Sequence, residues 1–409
     1  MHLQRVVITG MGAVSPFGYG VTALWNALEN GQSGISILDD LAEIKGLRPR
    51  VGGKVPACDI KVIHRKFRRT MSALSIFGCL AGLEALKQAG LTEEQLTGGR
   101  TGLCVGSTIG SVQAMENFFS GYLNARSIES VHTTEFFKIM NHSCASNMAH
   151  FFGISGRVQS TSAACSTGCQ NIGLAAEIIA SGKQDMMLCG GSEELHPLTV
   201  GTFDILEAAS TSGIEDPTTT PRPFDITRDG IVCSEGAGIL LLESYESAIK
   251  RNAVILAEVV GFSSICDSSN MANPSPDAIT KCIEMALQDS NISHESIDYI
   301  NAHATGTQQG DSAECIAISK ALPSAPPISS LKGHLGHTMA ASGALETIAT
   351  ICMMKNNIII PTRNLFNTSD DCKCANHNLR LQQRKITYAL KNNFALGGIN
   401  TSLVLRRPE

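Results

Sequence analysis

The sequence is short of charge, of aromatic residues and of recognisable metal or membrane signatures. Of 409 residues, 17% are charged and 5% aromatic, with 1 Trp, and the formal net charge is −5. With 43% hydrophobic residues the chain has ample surface to bury, which excludes a disordered polymer. Without clustered excess Lys and Arg, broad phosphate-backbone binding is not expected, so no nucleic-acid partner is assigned. There is no CxxC, and no His/Cys cluster has zinc-finger spacing; the nearest pairs are Cys165/Cys169 and Cys372/Cys374, and no metal is expected. The start, Met1 followed by HLQRVVITG, reads as a strand and lacks the charged and apolar regions of a signal peptide, so a cytoplasmic location with reduced thiols is expected. No membrane association is expected either. The most membrane-like stretch, His337 to Met354, carries His, Glu and several small polar residues and reads as a buried helix.

What is present in quantity is glycine and cysteine, 38 and 14 residues respectively. Most of the thiols are expected to be small buried hydrophobes. The length exceeds that of a usual compact domain, which predicts two core units or one duplicated unit. Leu3 to Thr9 reads as a strand, Val21 to Glu29 as a helix, Thr70 to Gly90 as a long helix and Glu135 to His150 as another. Arg157 to Thr161, Cys169 to Ser181 and Asp185 to Cys189 form a strand–helix–strand unit. The Pro-rich stretch Ser210 to Asp229 predicts a surface loop. After Gly236 to Glu243 and a short helix to Arg251, the chain begins again with strand and helix patterns at Ala257, Pro276, Ile297 and Asp311, then the helix from His337 and strands near Thr387 to Asn393 and Thr401 to Arg406. Two successive α/β sets predict a duplicated fold with a boundary near residue 250, dividing 1–250 from 251–409.

Cys165 is the strongest candidate for chemistry. It lies in Ser162-Ala-Ala-Cys-Ser-Thr-Gly168, after a strand and before a helix. A helix N-terminus offers free N–H groups and a positive dipole end, both favouring the thiolate. A buried structural thiol is the ordinary reading of any one of fourteen cysteines, so the context has to decide. Two later motifs supply it: Asn301-Ala-His303-Ala-Thr305-Gly-Thr307, just past a strand, and Lys332-Gly-His334-Leu-Gly-His337, before a helix containing Glu346. A neutral imidazole at such a position can donate to a developing oxyanion; His334 is expected to be structural or exposed. The last loop, Asn393-Phe-Ala-Leu396-Gly-Gly398-Ile-Asn400, can turn N–H groups inward toward an oxyanion.

Together these motifs resemble the condensing enzymes of the thiolase superfamily, and more narrowly the elongating β-ketoacyl-acyl-carrier-protein synthases of bacterial fatty-acid synthase I/II type. The resemblance runs from Val6-Val-Ile-Thr-Gly-Met-Gly12 to the Gly397-Gly398 loop and includes Pro223-Phe-Asp225 and Arg228-Asp-Gly230. It implies an α/β thiolase-like five-layered αβαβα fold of two duplicated halves, the first carrying the nucleophilic Cys165 and the second His303 and His337. It implies decarboxylative Claisen condensation of a malonyl-carrier protein with an acyl group on Cys165. His303 and His337 would stabilise the enolate, the N–H groups of Cys165 and Leu396 would form the oxyanion hole, and Lys332 would organise the site through Glu346, with Thr305 and Thr307 in support. No cofactor is implied beyond the phosphopantetheine of the acyl carrier protein. The implied partners are that carrier and a second subunit, in a homodimer or in a heterodimer with a chain-length partner.

Two departures bear on the acyl pocket, whose implied gate residues are Ile109, Phe203, Ile231 and Leu396. Phe-Gly-Phe-Gly-Gly is usual in the last loop, where this chain has Phe394-Ala-Leu396-Gly-Gly398; Asp-Gly-Phe is usual where it has Asp229-Gly-Ile231. Lost aromatic bulk predicts a wider pocket suited to a rigid or unsaturated chain such as a polyene; the alternative is a neutral drift of the gate residues in an ordinary fatty-acid enzyme. The basic run His64-Arg-Lys66-Phe-Arg-Arg69 matches the carrier docking patch, at Lys66 and Arg69 in particular. A degradative thiolase is excluded because the last loop lacks the second cysteine of that class. The Cys-His-His set differs from the Cys-His-Asn of initiating enzymes, and retention of Cys165 argues against a non-catalytic chain-length partner.

Overall fold

In the computed structural model, residues 3–129 and 131–408 are described; Met1 and His2, where the segment weighed as a leader starts, lie outside them, as do Ser130 and Glu409. Ten strands carry the argument: β1 Val6–Ser15, β2 Thr101–Gly106, β3 Val158–Gln159, β4 Met186–Glu193, β5 Gly236–Ser244, β6 Ala257–Cys266, β7 Tyr299–Asn301, β8 Ile328–Ser329, β9 Tyr388–Phe394 and β10 Ile399–Arg406. The first five lie in the order β3-β2-β4-β5-β1 and the second five in the order β8-β7-β9-β10-β6. Pairing senses match as well. β2 is parallel to β3 and β4, β5 is antiparallel to β4 and β1, and β7 to β10 repeat the scheme with β6 at the end. β1 also pairs with β6, Val6 opposite Val259 and Ile8 opposite Ala257, so the two sets join into one sheet.

The helices that matter are α1 Val21–Glu29, α2 Ala73–Ala89, α3 Val112–Ala125, α4 Thr133–Ile139, α5 Ser143–Phe152, α6 Thr167–Ala180, α7 Pro276–Ser290, α8 Gln308–Ala321 and α9 Ser342–Asn356. α2 covers the outer face of the first strand set with α5, while α7 and α8 cover the second. α6 and α9 lie between the sets, giving five layers. Side-chain alternation along the strands separates the apolar interior accordingly. Leu240 and Leu242 of β5 join Ile172 and Leu345 in the middle, whereas Ile239 and Leu241 join Leu74 and Leu103 outside. The second set does the same, with Leu403 facing the middle and Leu390 and Val404 packing outward with Ile283.

α9 is buried at every residue from Ser342 to Met354, so it has no solvent-facing side and belongs in the interior. α6 and α9 meet through glycines. A Cβ on Gly343 would lie 2.2 Å from the Cys169 nitrogen, and one on Gly168 would lie 2.7 Å from the Ala340 carbonyl oxygen. No side chain fits between the two helices there. The two helix starts are built alike: a 3-10 turn, Ala164–Ser166 or Met339–Ala341, enters each helix, and Ala164 and Met339 both have φ 45.

Several expectations need correction. The segment read as one helix from Glu135 to His150 is α4 and α5, broken where Met140 is extended and the Ser143 N–H bonds the Met140 carbonyl. The helix read from His337 begins at Ser342; before it, Lys332–Leu335 forms one turn and Gly336 takes φ 71. The Pro-rich stretch is a surface loop only in part. Thr220, Phe224 and Asp225 are buried because Asp311 of α8 accepts from the Phe224 N–H, and Asp225 accepts from the Phe366 and Asn367 N–H groups. Among the described residues no helix is long and apolar enough to cross a membrane.

The helix contact makes a direct prediction. Gly343→Ala should destabilise the protein by about 1–3 kcal/mol, because the added methyl meets backbone that cannot move aside. Gly201→Ala, in helix Pro197–Ile205 with its nearest neighbour 3.8 Å away, should leave the melting temperature unchanged or raise it. Calorimetry of the two variants checks the contrast.

Candidate active site

Cys165 sits in the 3-10 turn entering α6, one residue after Ala164 with its positive φ. That backbone is uncommon for a residue with a side chain and holds the cysteine at the helix mouth. The turn is tied to the end of the chain: the single Ser166 Oγ proton is shared between the Asn393 carbonyl at 3.0 Å and the Ile399 carbonyl at 2.9 Å. His303 follows β7. Its N–H and that of Ala304 donate to the two oxygens of Glu314 on α8, at 2.9 and 2.7 Å, which fixes the loop beyond the strand. His337 lies between the Lys332–Leu335 turn and α9, held by backbone bonds from His337 N–H to the Val232 carbonyl and from Ser234 N–H to the His337 carbonyl. The two imidazole centroids are 5.5 Å apart, and the rings are nearly perpendicular at 82°.

Hydrogen bonds define the tautomers. The Met339 N–H donates to His337 Nδ1 at 3.3 Å, so the ring proton is on Nε2. That Nε2 is buried and has no partner among the described residues. The Asn393 amide nitrogen lies 3.4 Å from His303 Nδ1 and 3.3 Å from the Cys165 carbonyl, which places the His303 proton on Nε2 too. Burial, reinforced by the Lys332 charge, pushes His337 down to about 3 and His303 well below its usual range. Both rings are neutral N–H donors. The cause is desolvation and a buried cation, and the helix terminus expected from the sequence lies five residues further on.

The expected thiolate is corrected by the same physics. Burial pushes the Cys165 thiol up to about 12, against the opposing pull of Lys332 and of its own backbone N–H, and Glu193 adds to the rise. The resting group is a thiol, since desolvation outweighs the helix end. Lys332 and Glu346 lie behind the site, fully buried, with Nζ 2.6 Å from Oε1; Ser342 Oγ also donates to that oxygen at 2.8 Å.

One cavity of about 520 Å³ is lined by Cys165, His303, His337, Thr305, Thr307, Phe203, Ile231 and Leu396. The two threonine hydroxyls are 3.3 Å apart. In the last loop the N–H groups of Ala395, Gly397 and Gly398 bond the carbonyls of Ile399, Met271 and Ala395, and the Leu396 N–H has no acceptor among the described residues. Ile109, grouped with the gate residues, is exposed and is not part of the cavity lining. It lies in the loop between β2 and α3. Lys66 and Arg69 are exposed on and just after the Arg65–Arg68 turn. His334 is buried and structural, its ring nitrogens each 3.1 Å from a carbonyl, those of Gln32 and Pro361.

Sequence reasoning missed Glu314, Asn393 as the residue orienting His303, and Lys391. Lys391 is fully buried, 2.8 Å from the second oxygen of Glu346. The signal was available in the strand pattern: in Tyr388–Phe394, Lys391 is in phase with Ala389, which faces the middle layer.

Comparison with known proteins agrees with this geometry. Residues 3–248 match the family described as Beta-ketoacyl synthase, N-terminal domain, and residues 256–366 match Beta-ketoacyl synthase, C-terminal domain. The 3-oxoacyl-[acyl-carrier-protein] synthase 2 of Vibrio cholerae is 35% identical, with 100% of both chains covered. The corresponding synthase 1 of Buchnera aphidicola is 35% identical over 99% of this chain and 100% of its own. A beta-ketoacyl synthase from Burkholderia phymatum superposes with a TM-score of 0.96 at 40% identity, covering 99% of this chain and 100% of that one. A type II polyketide ketosynthase solved with its acyl-carrier protein and a hexaketide gives 0.91 at 32% identity, over 99% of this chain and 100% of that one. The ishigamide ketosynthase/chain length factor gives 0.92 at 30%, with 100% of both chains covered. The chain belongs to the beta-ketoacyl synthase family and is a 3-oxoacyl-[acyl-carrier-protein] synthase, an acyltransferase that forms carbon–carbon bonds.

Proposed function

We propose that Cys165 carries the growing acyl chain and that His303 and His337 drive the malonyl decarboxylation that extends it by two carbons. The Cys165 sulfur attacks the acyl thioester of a carrier protein, the new C–S bond forms, and the carrier thiol leaves with the proton. In the second half, the malonyl C–C bond breaks, CO2 departs, and its electron pair becomes an enolate whose oxygen accepts from both Nε2–H groups. The enolate carbon attacks the Cys165 thioester, the C–S bond breaks, and the departing Cys165 thiolate takes up one proton from solvent. The tetrahedral oxyanion is held by the N–H groups of Cys165 and Leu396, Lys332 and Glu346 hold the electrostatics, and Thr305 and Thr307 line the approach of the phosphopantetheine. The observation that carries this reading is the orphaned, buried Nε2–H of His337 in a cavity that also holds Cys165. A buried donor without a partner costs free energy that a substrate oxygen recovers.

The chain divides at 250/251, nucleophile before and histidines after, in line with the two family matches. Acyl carrier protein docks at Lys66 and Arg69, by charge complementarity with an acidic partner. A second subunit, identical or a chain-length partner, covers the apolar face of α3 and α4, where Phe119, Leu123, Phe136 and Phe137 are exposed; Ile109 would gain its place at an acyl pocket only there. The cytoplasm suits fourteen unpaired thiols. No cofactor enters the chemistry. A polyketide or polyene pathway is the second reading, favoured by Ile231 and Leu396 in the cavity wall.

Incubation with acyl-carrier substrate should add one acyl mass to the protein, mapping to Cys165 and absent from Cys165→Ala. His337→Ala should retain the adduct and lose about 10²–10³-fold in malonyl decarboxylation. Adduct formation elsewhere refutes the assignment. Because the thiol is pushed up to about 12, its thiolate fraction grows with pH throughout the accessible range. Alkylation of Cys165, followed by peptide mass spectrometry, should therefore rise about tenfold per pH unit from about 6 to 9; a plateau below about 8 contradicts a buried neutral thiol. Ile231→Phe with Leu396→Phe should shift preference from polyunsaturated to saturated acyl carriers in steady-state rates, and equal preference in the unmodified enzyme counts against the polyene reading.

A further inference from the structure

The carboxylate of Glu346 carries two lysines, one more than its charge neutralises. Lys332 Nζ lies 2.6 Å from Oε1 and Lys391 Nζ 2.8 Å from Oε2, and all three side chains are at most 1% exposed. Lys391 also donates to the Asn392 carbonyl. Burying an ammonium is costly even when it is paired, and an apolar side chain would fill the same volume at less cost. Charged and titratable groups from three helices and two loops face Lys391. They are Glu346 of α9, Lys332 beside it, Glu314 of α8, Cys169 of α6, and the two histidines. Glu314 is engaged by the His303 and Ala304 N–H groups and by the Asn392 amide at 3.3 Å. Lys391 also stands two residues before Asn393, whose amide nitrogen is 3.4 Å from His303 Nδ1.

We propose that Lys391 is a positioning residue for the condensation: with Lys332 it anchors Glu346 and maintains a positive potential behind His303 and His337, so that both stay neutral Nε2–H donors as the enolate forms. It acts through the imidazoles and touches no substrate. The inference rests on the proposed roles of the two histidines. Its Coulombic push on both rings has the required sign, lowering their affinity for a proton. Removing it makes the imidazoles easier to protonate, and a protonated pair requires that an extra proton be lost before the working state is restored. The acid limb of decarboxylation therefore moves to higher pH.

The test is the pH profile of malonyl-carrier decarboxylation by Lys391→Met in the full-length enzyme, between about pH 3 and 9, a range that reaches the depressed titration of the imidazoles. We expect the acid limb to rise by about half to one pH unit and kcat to fall about tenfold, with KM and acyl-adduct formation on Cys165 within about twofold of the unmodified enzyme. Lys391→Arg should restore the limb. If Lys391→Met does not fold, Lys391→Gln, which keeps a hydrogen bond and loses the charge, takes its place in the same measurement. A folded variant with lowered kcat and an unmoved limb overturns the proposal, since a merely structural lysine would behave that way. Absence of decarboxylation by the unmodified enzyme would instead overturn the roles given to the histidines.

Discussion

Everything at the site depends on two helices touching without side chains between them. Gly168 of α6 and Gly343 of α9 let the helix starts approach until a Cβ on either would overlap the other's backbone. That contact brings the turn carrying Cys165, from the first half of the chain, against the turn following His337, from the second. It also locks the sandwich, because the helices fill the space between the two strand sets, and those sets cannot separate while β1 pairs with β6. The local symmetry makes the division of labour visible. Counting from the shared 3-10 turns, Cys165 corresponds to Ala340 and Asn171 to Glu346. In one half the turn presents the thiol. In the other, the same place is inert, and the next helical turns supply the carboxylate around which the lysines gather.

Burial then sets the chemistry. Out of water, an imidazole gives up its proton, a thiol keeps its own, and a carboxylate survives as an anion only with cations against it. The site uses all three consequences. His303 and His337 are neutral donors, Cys165 rests as a thiol, and Glu346 is held down to about 2 by Lys332 and Lys391. These groups form one electrostatic unit, with the ions placed behind the cavity wall and neutral donors lining it. A mobile solvent cannot provide that arrangement, since it would screen the cations and compete for the donors.

Much of this was legible in the sequence because it lies in contiguous motifs. The turn around Cys165, the strand-end His303 and the Lys332-to-His337 segment are each short, and their order along the chain carries the resemblance. The long buried strands announced themselves by apolar runs, and the restart near residue 250 by repeated α/β patterns. The two boundary errors share one cause. Side-chain periodicity does not locate a turn of the backbone between two helical stretches, so the break at Met140 and the late start of α9 at Ser342 are not visible in it. The thiolate expectation failed because a helix end is a local feature, while the depth at which it is buried is not.

The sequence by itself determined which residue types could react and in which chemical family, since side-chain identity and motif spacing are local properties. It also determined that the chain repeats an α/β unit, because hydrophobic period survives without knowledge of contacts. Only the tertiary structure decided which nitrogen of each imidazole bears the proton, that Ile109 stands outside the cavity of a single chain, and that Lys391 joins Lys332 on Glu346. Those outcomes depend on distances between residues far apart in the chain, and on how completely water is excluded from the space between the two strand sets. Neither quantity is carried by any one segment.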